Sequence, residues 1–333
     1  MEWTRTEEIK TVENVRPHFV LVGAGASCAA FPNGDGKGRR LPLMNDLVSV
    51  VGLDKYFEDF GIQWKGQNFE DLYVKVATDN NYLKLKEKIE YEVDLYFSQL
   101  TLPEEPTIYD FLILSLRSQD VIATFNWDPF LIRAYRRNKR NVQSLPYLLF
   151  LHGNVLSGFC DRDNTFGLRD ARCSKCGSLF TPTKLLYPID NKDYISDKGI
   201  ATAWQEVERK MGDALFLTIY GYGAPKSDRA AMDLLSSAWG TPEQRNFEQI
   251  EIIDIRTEEE LLSQWDRFIH THHYHVVNNF YDSWLANHPR RSIEAFISQY
   301  HDANFVEGNP LPSSASSLQE VWSWYDGLIH YEK

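Results

Sequence analysis

Three polar residues follow apolar runs of the sequence at the point where each run ends. Asn126 and Asp128 follow the run DVIATF, and His152 follows the run YLLFL. An imidazole can act as a general base, while an amide and a carboxylate can orient a hydroxyl group or a water molecule. Structural interpretations exist as well, since Asn and Asp before Pro129 commonly cap loops. A lone histidine is also more often structural than catalytic.

A glycine-rich turn follows another apolar run, HFVLV. The turn consists of Gly23, Ala24, Gly25, Ala26 and Ser27. Glycines in such a turn let a phosphate approach the backbone, and the N–H groups of the next helix can bind it. The dinucleotide fingerprint needs a third glycine at position 28, where this chain has Cys28. A turn that needs glycine only for its shape therefore explains the stretch about as well.

Five apolar runs predict the strands that position these residues. The runs begin at His18, Asp120, Tyr147, Ala214 and Gln249. Short continuous apolar runs are typical of parallel strands that helices cover on both faces. Helical stretches at 107–118 and 201–214 lie between them. We therefore predict an α/β fold, with a Rossmann-like, mostly parallel sheet and helices on both faces.

The carboxyl ends of parallel strands meet at one edge of a sheet, and ligands bind in the crevice outside that edge. The glycine turn, Asn126, Asp128 and His152 would all lie there. A capping role before Pro129 explains one polar residue well, but it explains the two residues Asn126 and Asp128 together less well. The sequence therefore favours a ligand site at this edge.

Two insertions interrupt the alternation of strands and helices. Residues 51–105 have the spacing of a helical insertion, and residues 156–200 carry three cysteines and resemble a loop module. After Asp254 the chain becomes mostly helical and aromatic. We predict a catalytic domain over 15–275 that includes both insertions, followed by a C-terminal helical extension over 276–333.

The composition excludes several classes of protein. The 333-residue chain has a net charge of -12, which argues against general nucleic-acid binding because phosphates would be repelled. We expect no membrane span and no secretory signal, since the necessary apolar runs are missing. Three of the four cysteines crowd into one short segment, which indicates a metal site and a reducing compartment. We expect a cytoplasmic protein.

Several motifs resemble those of the sirtuin superfamily in order and spacing. They are the glycine turn, the stretch 124–128 and His152 with Gly153. The stretch GYGAPKSD at 221–228 is similar to an element of sirtuin-like bacterial defence proteins, and IEIIDI is similar to their last core strand. The resemblance covers about residues 18–256.

This resemblance implies that NAD is the substrate. Asn126 would hold the nicotinamide ribose and position a water molecule, Asp128 would support the ribose or the loop, and His152 would be the general base. The turn at 23–27 would carry the diphosphate. The other implied nucleotide contacts are Asn45, Asp46, Gly221, Tyr222, Gly223 and Asp254. The choice between Asn45 and Asp46 stays open.

Two stretches differ from the deacylases of this superfamily. Residues 28–47 end in Pro-Leu-x-x-Asp-Leu, which is typical of the defence-type branch, and replace an Ile-Pro-Asp-Phe-Arg loop. Residues 179–194 stand in place of a Phe-Gly-Glu element that pairs with an acylated peptide. A peptide groove is therefore less expected than an NAD site.

The cysteines correspond to the zinc module that sirtuins place after His-Gly. The implied ligands are Cys160, Asp163, Cys173 and Cys176. Three thiolates and a carboxylate can complete a tetrahedral zinc site, and a degenerate module without metal is the alternative. The HTHHYH stretch at 270–275 has no nearby cysteine or acidic partners, so we interpret it as a polar helix face or junction.

The predicted activity is hydrolysis of NAD to nicotinamide and ADP-ribose by an NAD glycohydrolase. An NAD-dependent protein deacylase is the alternative, and a non-catalytic NAD or ADP-ribose sensor is a second one. The resemblance implies an antiphage defence effector that depletes NAD and forms a homo-oligomer. It also implies a partner that senses infection, such as an ATPase or another sensor protein encoded nearby.

Overall fold

The structure is a computed structural model that describes residues 2–13, 16–189, 192–269 and 273–332. Its strands are β1 (Glu2–Trp3), β2 (His18–Val22), β3 (Val121–Thr124), β4 (Tyr147–Phe150), β5 (Ser157–Cys160), β6 (Thr165–Leu168), β7 (Thr181–Pro182), β8 (Phe216–Tyr220), β9 (Gln249–Ile253), β10 (Tyr274–Val277) and β11 (Phe305–Val306). Its α-helices are α1 (Arg5–Lys10), α2 (Ala24–Ala30), α3 (Leu47–Val51), α4 (Asp54–Asp59), α5 (Phe69–Thr78), α6 (Leu83–Ser98), α7 (Ile108–Leu114), α8 (Phe130–Asn138), α9 (Lys198–Asp213), α10 (Arg229–Trp239), α11 (Glu258–Trp265), α12 (Trp284–Asn287), α13 (Ser292–Phe296) and α14 (Leu318–Ile329). Short 3-10 turns cover Asn80–Tyr82, Lys226–Asp228, Pro242–Gln244, Phe280–Asp282 and His330–Glu332, and a π-helical turn covers Ile297–His301.

The central sheet has six parallel strands in the order β10-β9-β8-β2-β3-β4. Counted along the chain, this is the doubly wound order in which the winding reverses between β2 and β8. Ligands bind outside the carboxyl ends of strands at such a reversal. The predicted α/β fold with a Rossmann-like parallel sheet is confirmed.

The five predicted strands correspond to β2, β3, β4, β8 and β9, and the sequence analysis missed β10. This edge strand pairs with β9, so that His275 lies opposite Glu251. Of the two interpretations of 270–275, a helix face or a junction, the helix face is therefore wrong for His275, and residues 270–272 lie outside the described residues. The sequence signal of β10 is weak because the strand has only four residues and includes His275. As an edge strand it also buries less apolar surface.

Helices cover the sheet on both faces. Along β2, Phe19 and Leu21 belong to the apolar cluster that includes α9, α10 and α11, while Val20 and Val22 belong to the cluster that includes α7, α8 and α14. All four side chains are fully buried. Burial of an apolar side chain of this size contributes about 1.5–3 kcal/mol, which explains why these strands consist of continuous apolar runs.

The helical insertion packs into the same apolar cluster as one face of the sheet, and the cysteine segment forms a small sheet of its own. The helical insertion contains α4, α5 and α6, and α6 buries Leu85, Ile89, Val93 and Phe97 at four-residue intervals. The segment 156–200 has more regular structure than the expected loop, because β6, β5 and β7 form a small antiparallel sheet. No helix among the described residues is long and apolar enough to cross a membrane.

Candidate functional site

A cavity of about 570 Å³ lies at the carboxyl ends of β2, β3, β8 and β9, where the sheet reverses its winding. The predicted site residues that line it are Ala24, Gly25, Ser27, Asn45, Asn126, Asp128, His152, Gly221, Tyr222, Gly223 and Asp254. These residues come from six separate stretches of the chain. The tertiary structure therefore brings most of the predicted nucleotide site to one place.

Three predicted residues stand outside the lining. Gly23 lies behind it and contacts Asn126 through its carbonyl oxygen, and Ala26 is fully buried. Asp46 forms an ion pair of 2.8 Å with Arg40 and accepts a hydrogen bond from a backbone amide. Of the pair left open by the sequence, only Asn45 lines the cavity.

Hydrogen bonds donated by its nitrogen hold the side-chain amide of Asn126 in one orientation. Nδ2 donates to the carbonyl oxygen of Gly23 at 2.9 Å and to Oγ of Ser27 at 3.0 Å. Tyr109, which the sequence analysis did not identify, accepts from the same nitrogen at 3.3 Å. Since a carbonyl oxygen can only accept, the nitrogen must face Gly23. The side-chain oxygen of Asn126 is then the atom available to a ligand.

Asp128 combines the capping role and the site role that the sequence analysis left open. Its Oδ1 accepts from the backbone amide of Phe130 at the start of α8, and its Oδ2 accepts from the Ser27 hydroxyl at 2.7 Å. Burial raises the pKa of Asp128 to about 6, although the bonds from Ser27 and Phe130 lower it. Asp128 therefore supports Asn126 indirectly, because both side chains bond to Ser27.

Gly23 and Gly221 let the backbone after β2 and the backbone after β8 approach each other closely. A Cβ atom on Gly23 would lie 2.4 Å from Cα of Tyr222, and one on Gly221 would lie 2.2 Å from the amide nitrogen of Ala26. The amide of Gly25 donates to the carbonyl of Gly221 at 2.8 Å. These glycines are required by packing between β2 and β8, and that amide is already engaged.

His152 follows β4, and the turn that carries it is tightly packed. Gly153 has a φ of 76°, and a Cβ atom there would lie 1.9 Å from the carbonyl oxygen of Lys184. The His152 ring contacts Phe125 edge-on and lies 3.4 Å from Oη of Tyr194 through Nε2. Burial lowers the pKa of His152 to about 4, while Asp228 raises it and Lys192 lowers it. The imidazole is therefore neutral at physiological pH.

A buried ion pair beside His152 was missed by the sequence analysis. Nζ of Lys192 lies 2.7 Å from Oδ1 of Asp228, and the side chains are only 2% and 6% exposed. Tyr222 donates to Oδ2 of Asp228 at 2.7 Å, and its ring stacks on Phe125. The GYGAPKSD motif contains Asp228, but no local pattern marks Lys192 as its partner.

A second ion pair also lines the cavity. Asp254, which follows β9, lies 2.7 Å from Nη2 of Arg256. Burial raises the pKa of Asp254, but the hydrogen bonds and charge of Arg256 outweigh it and hold that pKa below its usual value. Glu70 from α5 reaches the cavity and accepts from Ser227 at 2.7 Å. The helical insertion therefore forms one wall of the site.

The four predicted metal ligands lie together in the small antiparallel module. One donor atom from each of Cys160, Asp163, Cys173 and Cys176 lies within 4.8 Å of the other three. Cys173 and Cys176 flank a tight turn in which the amide of Gly177 donates to the carbonyl of Cys173. The thiols are free of disulfides, and three sulfurs with one carboxylate fit a structural zinc ion.

No family model matches the sequence, and a search of curated proteins finds no match. Solved Sir2 structures are similar to the chain over most of its length. A Sir2 homolog–NAD complex has 16% identity and a TM-score of 0.45, and the match covers 87% of this chain and 94% of that one.

Two further structures have comparable values. One, described as the structural basis for the mechanism and regulation of Sir2 enzymes, has 12% identity and a TM-score of 0.42 and covers 85% of this chain and 92% of its own. Sir2 bound to acetylated peptide has 14% identity and a TM-score of 0.38, with coverages of 87% and 94%.

Proposed function

We propose that the protein is a sirtuin-like NAD glycohydrolase that hydrolyses NAD to nicotinamide and ADP-ribose. The observation that carries the proposal is the convergence of Asn126, His152 and the glycine turn on one cavity at the reversal of the sheet. A volume of about 570 Å³ is within the range of small-molecule sites.

The proposed orientation of NAD follows from the residues that line the cavity. The nicotinamide ribose lies beside Asn126 and His152, and the adenosine lies toward Asp254. The diphosphate lies over the turn at the start of α2, where the helix dipole favours negative charge. Because the Gly25 amide already binds Gly221, the amide of Ala24 is the better placed phosphate donor.

The bond between nicotinamide and ribose breaks with positive charge developing on the sugar. The side-chain oxygen of Asn126 accepts a hydrogen bond from a ribose hydroxyl or the attacking water. Neutral His152 accepts the proton that this water, or a ribose hydroxyl, gives up as the new C–O bond forms. Nicotinamide leaves as a neutral molecule, so the site needs no acid for it.

The packing of residues 184–189 and of Lys192 supports water as the acceptor. The amide of Leu186 donates to the carbonyl of His152 at 2.9 Å, and the carbonyl of Lys184 contacts Gly153. Leu186, Pro188 and Lys192 line the cavity. The chain itself therefore fills the surface beside His152 that an acylated peptide would need.

The experiment that tests the proposal is incubation of the purified protein with NAD alone, with nicotinamide and ADP-ribose followed by chromatography. The Asn126→Ala variant is assayed in parallel, with Asn141→Ala as a control because Asn141 is exposed. We expect turnover by the wild type and the control and a loss of at least about 100-fold in Asn126→Ala, on the scale of losing one well-placed group.

Other outcomes would replace the proposal. Nicotinamide release that requires an acylated peptide would identify a protein deacylase. Saturable NAD binding with no product over long incubation would identify a sensor. Turnover that Asn126→Ala retains would show that this cavity is not where NAD is consumed.

Further proposals rest on the resemblance of motifs alone. They place the protein in the cytoplasm as an antiphage effector and as a homo-oligomer, with an ATPase or other sensor protein encoded nearby. We also keep the division into a catalytic domain over 15–275 and an extension over 276–333. Strand β10, at Tyr274–Val277, crosses that boundary.

A further inference from the structure

The ion pair between Lys192 and Asp228 has no part in the mechanism above, although it lies in the wall of the cavity. Its partners come from distant parts of the chain, one after the antiparallel module and one after β8. Nζ of Lys192 also donates to the backbone carbonyl of Ser227 at 2.7 Å. Both side chains are withdrawn from water almost completely.

Stability gives little reason for such a pair. Two charges taken out of water lose hydration that their attraction only partly restores, and well-packed apolar residues in their place are often neutral or stabilising. Buried charges with specific partners in a cleft are more frequent at functional sites. The position of this pair in the cavity wall fits that second explanation.

The distances show which group the pair addresses. Oδ1 of Asp228, the oxygen that Lys192 contacts, lies 3.8 Å from Nε2 of His152. Among the described residues, three other titratable groups face this cluster: Tyr194, whose hydroxyl lies 3.4 Å from Nε2, Tyr222, which donates to Oδ2 of Asp228, and Glu70, which accepts from Ser227 at 2.7 Å. An unpaired buried carboxylate at that distance would favour the charged imidazolium. The Lys192 ammonium opposes this effect.

We propose that Lys192 and Asp228 act as a pair of positioning residues for His152, with Lys192 cancelling the field of Asp228 at the imidazole. Asp228 orients Tyr222 and the loop after β8, and Lys192 keeps this carboxylate from turning His152 into an imidazolium. The inference rests on the proposed function, because His152 needs its free electron pair only as a base. It adds a role for Lys192 that no motif indicates.

A purely structural role is the competing explanation, in which Lys192 only fastens its segment to the loop at Ser227. Such a role would change stability, and it would not move the titration of His152 in a direction set by the sign of the removed charge. Opposite charges removed one at a time therefore separate the two explanations.

The experiment is an NMR titration of the histidine-labelled protein from about pH 8 to about pH 3, a range extended below that of ordinary histidines because burial lowers the pKa of His152 to about 4. The His152 signal is assigned by its absence in His152→Gln. Lys192→Met, Asp228→Asn and the double variant are compared with the wild type. Lys184→Met is the matched control, because Lys184 is an exposed lysine of the same segment.

We expect the midpoint of His152 to rise by about 1 pH unit in Lys192→Met, to stay or fall in Asp228→Asn, and to return near the wild-type position in the double variant. Lys184→Met should match the wild type. If Lys192→Met does not fold, the double variant must still titrate at a higher pH than Asp228→Asn. Equal midpoints in all variants, or a rise in Asp228→Asn, would overturn the inference.

The same variants separate this inference from the proposed function. NAD hydrolysis should show an acid limb that moves to higher pH in Lys192→Met, since the neutral imidazole is the active form. The predicted titrations without any NAD turnover would contradict the function and support the ion pair. NAD turnover together with a His152 midpoint that is the same in all variants would support the function and contradict the ion-pair inference.

Discussion

The two edges of the central sheet both bury charged side chains, but they use them differently. At the carboxyl edge, Asn126, His152 and the Lys192–Asp228 pair surround a cavity. At the opposite edge, where the strands begin (the amino edge), the guanidinium groups of Arg290 and Arg291 both bond to Glu332. Arg290 also donates to three backbone carbonyls. One edge leaves room for a ligand, and the other fills its space with the chain.

The difference lies in what the buried groups contact. Asp120 at the amino edge accepts from the amide of His18 and from that of Arg117, so it joins the starts of two strands. At the carboxyl edge, Asn126 and His152 line the cavity. We infer that the amino edge stabilises the fold, while the carboxyl edge carries the chemistry.

The largest expected effect is at the amino edge. Glu332→Ala would leave Arg290 and Arg291 buried without their carboxylate, and breaking a buried ion pair in this way costs about 3–5 kcal/mol. Chemical denaturation should show this loss. Glu259→Ala, at an exposed position, is the control. A stability equal to the wild type would show that the C-terminal residues do not anchor this edge.

The second prediction concerns activity at the carboxyl edge. His152→Ala should lower NAD turnover by about 100-fold or more, the usual contribution of a general base, with a smaller loss of unfolding free energy than in Glu332→Ala. His301→Ala tests an exposed histidine. A large loss of stability in His152→Ala with turnover retained would erase the distinction between the edges.

The cysteine module packs around a small apolar cluster of its own, so loss of a zinc ion bound there should destabilise the whole chain less. Cys176→Ser should remove zinc measured by elemental analysis and lower the melting temperature by a few degrees, on the order of 1–2 kcal/mol for a chain of this length. Cys28→Ser should retain zinc, because Cys28 is outside the ligand cluster. Equal zinc content in both variants would contradict the proposed ligand set.

The smallest effect concerns pH. Asp128 has a raised pKa of about 6 in the folded protein, so its contribution to stability is complete below its unfolded pKa of about 3.9 and is lost as pH rises through about 6. Asp128→Asn removes this loss. Relative to the wild type, the variant should therefore gain on the order of 1 kcal/mol of stability between about pH 4.5 and about pH 8.

Denaturation at the two pH values measures this difference, and Asp170→Asn, an exposed site, is the control. Glu332 should behave in the opposite sense. Burial raises its pKa, but Arg290 and Arg291 hold it below the usual value, so its contribution is present above about pH 4.3 and is lost in acid. A parallel pH response of both carboxylates would contradict the comparison.

Much of the carboxyl edge could be predicted from the sequence because its residues follow strands directly. Asn126 and His152 end apolar runs, and the position of a strand end follows from the run itself. Strand β10 was missed because it is a short edge strand. Tyr109 and Glu70 gave no signal, since a tyrosine and a glutamate in helices have many equally ordinary positions.

The sequence by itself determined five of the six strands of the central sheet, the glycine turns, the polar residues at the strand ends and the cysteine cluster. Each of these depends on neighbours along the chain or on residue type. Only the tertiary structure decided that Lys192 meets Asp228 beside His152, and that Glu332 meets Arg290 and Arg291. A charge becomes paired, desolvated or shifted in pKa through partners brought close in space, and local pattern does not specify those partners.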